Sequence, residues 1–172
     1  MTESESRFWR FSLAVYGDPA VQRECLELQD TYGVDVSLLL FCAFIGAAYG
    51  AVFSDRAVKE AADAVRTWQN DVVGMLRAAR RALKPFATAT SRSGAAAATL
   101  RAQVKDIELE AERIEQAMLE HWAAAQIASW PRGRPTVAIA ENLRTLFAVT
   151  VQGPQPPVPQ HLIAAAFAVA GG

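Results

Sequence analysis

Apolar positions recur at intervals of three and four residues along almost the whole chain, and no stretch keeps up the every-other-residue alternation of a half-buried strand. The pattern predicts an all-α protein. Phe8, Phe11 or Ser12, and Val15 fall on one face of a helix over Arg7–Tyr16, widened by Trp9 and Tyr16 and stopped by Gly17. Asp18-Pro19 then offers a cap oxygen and a proline with preset φ to a second helix, whose stripe is Val21, Cys25, Leu28 and Tyr32 and whose end is Gly33. Asp35 caps a third helix inside Val36–Phe53, eighteen residues without a charge, which is the lower limit for a membrane span. Asp35, Ser54 and Asp55 enclose that run, and no Lys or Arg flanks it, so it reads as a buried central helix. Gly46 and Gly50 share one of its faces and admit close approach by another helix.

Ser54 caps a fourth helical stretch with a stripe through Val58, Ala61, Val65, Trp68, Val72, Met75 or Leu76, Ala79 and Leu83, which Pro85 ends. Gln69, Asn70, Asp71 and Gly74 weaken a helix without forbidding it, so the spacing leaves open one rod or two. After a loop at Thr88–Gly94, Leu100, Val104, Ile107, Ala111, Ile114, Met118, His121 and Ala125 form a heptad-like seam between about Ala95 and Ser129. Its natural partner is the Val58–Leu83 stripe, as a long antiparallel hairpin, with His121 as a core or half-buried histidine. WPRGRP at 130–135 breaks the chain, a helix is expected over Thr136–Val151, GPQPPVP at 153–159 is extended, and His161–Ala170 is a last apolar helix or tail. The expected architecture is one domain over residues 1–172, a bundle of six to seven helices. Residues 1–6 are expected to be a disordered N-terminus, and 153–172 a Pro-rich linker with an apolar end.

Charge narrows the choice of partner. A net charge of -1 from 17 basic and 18 acidic side chains removes the attraction that a general nucleic-acid binder needs, so none is expected. Apolar residues make up 52% of the chain, enough for a sizeable core. Two cysteines in apolar helical stretches and a start without a basic-then-apolar leader pattern point to a reducing cytoplasm.

Chemistry-bearing motifs are sparse. Di-iron bundles need Glu-x-x-His on a helix, but Met118 and Val158 stand three residues before His121 and His161. Two Cys and two His are too scattered for zinc, and no nucleophile elbow, phosphate loop or dinucleotide fingerprint occurs, so neither metal nor cofactor is expected. Two polar groupings remain as candidate binding surfaces. The first is Arg10, Gln29, Asp30 and Asp35 around the junction of the second and third helices. There, a carboxylate at Asp30 opposes the helix dipole and calls for a partner, making it a structural lock or a ligand contact. The second is Arg77, Arg80, Arg81 and Lys84, in a stretch from Val72 to Lys105 with seven basic and no acidic residues. Asp106, Glu108, Glu110, Glu112, Glu115 and Glu120 follow, so the hairpin can neutralise its own charge or present a basic end to an anionic partner.

FWRFSLAVY at 8–16 and CLELQDTYGVDVSLLLFC at 25–42 resemble the N-terminal signature of a family of small conserved hypothetical proteobacterial proteins of unknown function. Ser37 stands where that pattern has Asn. The resemblance implies membership and no reaction. The functional expectation is therefore a helical protein that acts by binding, as an interaction module or accessory factor with a protein partner or a second copy. The alternative is a peripheral lipid or hydrophobic-ligand binder using the apolar helices and the basic patch on an anionic membrane surface. An enzyme comes third, with only Asp30, Asp35 and His121 to offer.

Overall fold

The computed structural model describes residues 6–171. Eight α-helices follow in order: α1 Arg7–Tyr16, α2 Pro19–Tyr32, α3 Val36–Tyr49, α4 Asp55–Trp68, α5 Gly74–Ala87, α6 Arg92–Ala124, α7 Pro135–Thr150 and α8 Gln160–Gly171. A π-helical segment, Gln69–Val73, carries α4 into α5 without a break, so the eight helices make seven rods and the fourth stretch is one rod. The described residues contain no strand; Ala51 and Arg132 form an isolated antiparallel bridge. The all-α class and the antiparallel hairpin are as the periodicity foretold.

The expected residues set both ends of α2 and the start of α3. Asp18 Oδ1 accepts from Ala20 N at 2.7 Å, Asp35 Oδ1 accepts from Leu38 N at 3.0 Å, and Gly33 closes α2 in the left-handed region at φ 68°. Residues 1–5 of the expected disordered N-terminus lie outside the described residues. Ser6, also assigned to it, instead caps α1, its Oγ accepting from Trp9 N at 3.1 Å. Pro85 does not stop α5, which runs on to Ala87. Near a helix end a proline forfeits a single backbone bond. α6 starts at Arg92, inside the expected loop, with Ser91 Oγ accepting from Gly94 N at 3.1 Å.

The described residues form two compact units, one running to Ala64 and resuming at Gln116, the other Val65–Glu115. In the first, α3 is buried nearly all round, which is what an uncharged helix requires of its neighbours. α7 lies so close to it that a Cβ on Gly46 would sit 2.6 Å from Ile139 N. Phe8, Phe11, Phe41 and Phe44 stack where α1 meets α3, with ring centroids 5.2–5.4 Å apart. α8 packs on α1, α2, α3 and α7 and buries Leu162 and Ala166. Glu24 on α2 caps it from a distance, its two carboxylate oxygens accepting from His161 N at 3.1 Å and Leu162 N at 2.9 Å. Among the described residues no helix is long and apolar enough to cross a membrane; α3 spans 14 residues.

The second unit is the helical hairpin. Trp68 Nε1 donates to Ala111 O at 2.9 Å, and Arg77 reaches Glu108 and Glu112 at 3.1 and 2.8 Å, which fixes the antiparallel register. The expected seam along α6 is corrected here. Leu100 is 49%, Ile107 56% and Ile114 41% exposed, and His121 is exposed as well, whereas Glu108 is 5% and Glu115 0% exposed. Arg101, Val104, Glu108, Ala111 and Glu115 form the sheltered face. α6 turns its charged stripe inward because α5 supplies guanidinium partners for it, and its purely apolar stripe is left to solvent.

Candidate functional site

Arg10, Gln29, Asp30 and Asp35 do not form one site. Arg7 donates to Tyr49 Oη at 3.2 Å and lies over its ring, which places the start of α1 at the C-terminal end of α3, whereas Asp35 caps the other end. A helix of 14 residues separates those ends by about 20 Å. Asp30 is exposed, and its carboxylate makes no hydrogen bond among the described residues, so the expected lock is not built. Gln29 contributes a backbone carbonyl that accepts from Gly33 N.

Arg10 belongs to a different place. With Arg7, Phe11, Phe44, Ala48, Val169 and Ala170 it lines a cleft of about 320 Å³ bounded by α1, α3 and α8. None of these three helices carries an acidic residue, and neither arginine is ion-paired among the described residues. The cleft therefore combines an apolar floor with two cationic groups at its edge, the recognition chemistry of an anionic amphiphile.

The second grouping is divided by its partners. Arg77 donates to Glu108 and Glu112, and Arg80 donates to both oxygens of Glu108. Burial pushes the Glu108 carboxyl up, but the hydrogen bonds and charge of Arg80 and Arg77 outweigh it and hold the group below the ordinary carboxylate range. Arg77 and Arg80 are thus ion-paired inside the hairpin, with 22% and 24% of their side chains exposed. Arg81 and Lys84 are exposed. Lys84 also lines a cleft of about 280 Å³ with Ala87, Thr88, Ala98 and Arg101.

The largest feature that sequence reasoning missed is the apolar side of the hairpin. Offsets taken at about 100° per residue, with Arg80 as the inward reference of α5, put Met75, Ala79 and Phe86 about 100–140° to the negative side. With Glu108 as the reference of α6, Leu100, Ile107 and Ile114 lie about 80–120° to the negative side too. Because the helices are antiparallel, offsets of equal sign share one side of the hairpin. Met75 is 65% and Phe86 66% exposed, so both helices contribute to a single exposed apolar face. Arg81 and Leu109 fall about 100° to the positive side, on the opposite face. Heptad spacing was the available signal for the apolar face, but Arg101, Glu108 and Glu115 have the same spacing and mask which stripe turns outward. No group of three or more metal-ligating side chains occurs among the described residues.

Residues 7–119 match the model of a family described as a protein of unknown function, DUF2390, and the chain belongs to that family. The matched span includes both helices of the hairpin past Ile114. No curated protein and no solved structure is significantly similar to the chain.

Proposed function

We propose that this member of the DUF2390 family acts by binding, as a protein interaction module whose working surface is the apolar face of the hairpin. One observation carries the reading. On α6 neighbouring residues are inverted, Ile107 being 56% exposed while Glu108 is 5% exposed. A stripe of Leu100, Ile107 and Ile114 beside Met75 and Phe86, each 41–66% exposed, is an apolar patch of the kind that marks interaction sites. Its spacing suits another helix laid alongside, as in bundle packing. A reducing cytoplasmic setting fits two free, buried cysteines. The same reading takes the N-terminal signature and a proteobacterial origin as marks of this family. The test is photo-crosslinking in the host cell with a benzophenone residue at position 107 or at position 81 on the other face. Adducts at 107 and few at 81 are expected; no adduct at 107 would overturn the reading.

A second reading is favoured by the Arg7–Arg10 cleft, which suits a fatty-acid carboxylate or a lipid phosphate with its chain against Phe11, Phe44 and Val169. Native mass spectrometry after detergent-free purification checks it. A retained mass that Arg10→Glu removes would favour this carrier role, and a bare chain in both proteins would end it.

A further inference from the structure

The occupant of the apolar hairpin face follows from its symmetry, a step that rests on the interaction reading above. Leu100 and Ile114 each stand seven residues from Ile107 on the same stripe. A two-fold axis through Ile107, perpendicular to α6, lays Leu100 of one chain against Ile114 of another and Ile107 against itself. The face is therefore complementary to its own copy, the property an isologous interface needs.

α5 adds a further match. The Arg80–Glu108 and Arg77–Glu112 pairs place Phe86 level with about residue 102 of its own α6 and Met75 level with about residue 113. The two-fold axis carries the level of residue 102 onto that of residue 112, so Phe86 of one chain meets Met75 of the other, twice, in sulfur–aromatic contact.

We infer that the hairpin is a self-association device: two copies pair face to face through α5 and α6, antiparallel about Ile107, to make a four-helix bundle. Each copy contributes Met75, Phe86, Leu100, Ile107 and Ile114 to its core. Partners of other kinds that need this face are then met by the dissociated chain.

Cysteine placement tests both the pairing and its register. The two natural thiols are buried and add little background. Full-length Ile107→Cys, treated with a short bis-maleimide, is expected to give a linked dimer about tenfold or more above Leu109→Cys, which is exposed on the opposite face. Leu100→Cys mixed with Ile114→Cys is expected to link, while each alone links weakly. Equal yields at 107 and 109 would overturn the inference, as would linkage of Leu100→Cys to itself with none to Ile114→Cys. Absent self-linkage together with photo-adducts from position 107 to a different protein would overturn the second copy and leave the interaction reading standing. Absence of both would overturn the two together.

Discussion

Asn142 shows how one side chain can organise the larger unit. It is fully buried on α7; its Oδ1 accepts from Phe53 N at 2.7 Å, and its Nδ2 donates to Cys42 O at 3.2 Å and Ala51 O at 2.9 Å. Replacing it with alanine strands three buried backbone groups, so Asn142→Ala is expected to cost about 3 kcal/mol in urea unfolding, against near-neutral change at exposed Glu141. Gly46 works by absence. A methyl there would meet the backbone of Ala138 and Ile139 at 2.6–2.9 Å, and backbone cannot swing aside, so Gly46→Ala should lose about 2–3 kcal/mol by the same assay. Gly46 was legible in the sequence as a small residue on an apolar helix face. Asn142 was not, since its three partners lie 89 to 100 residues away and leave no local spacing to read.

At the scale of the element, caps were legible and the choice of face was not. Asp18, Gly33 and Asp35 act within a few residues of themselves, so local chemistry decides them. The inward face of α6 depends on Arg77 and Arg80, 28 to 35 residues away, and two heptad stripes side by side could not be ranked without them. The glutamate at the centre of that choice makes the hairpin acid-sensitive. A carboxyl whose folded pKa is depressed stabilises in full above its unfolded value and loses that contribution as the pH falls through the folded one. Melting temperature is thus expected to drop below about pH 4, and Glu108→Gln should flatten that drop while lowering stability at neutral pH. Identical acid limbs in the two proteins would show that the Arg–Glu cluster does not set the inward face. Likewise, Glu24→Gln weakens the carboxylate cap on α8, and the amides of His161 and Leu162 should exchange with deuterium faster than those of α3.

For the whole molecule, the helical class and the hairpin were readable because amphipathic periodicity is a property of each segment alone. The apolar face of the hairpin was hidden because it arises from a conflict between segments: the basic block of α5 claims the acidic stripe of α6, and the apolar stripe is displaced outward. The same displacement ties Arg77 and Arg80 into ion pairs with α6. Ile107→Asp accordingly should keep its far-UV circular dichroism, because the side chain faces solvent in the single chain. Sedimentation equilibrium of the full-length protein beside Ile107→Asp tests most directly whether a second copy covers this outward face. A wild-type mass twice that of the 18.6 kDa chain and a helical variant at 18.6 kDa are expected. A wild type that stays at 18.6 kDa at every concentration, or a variant that unfolds as a buried charge would make it, would contradict that pairing.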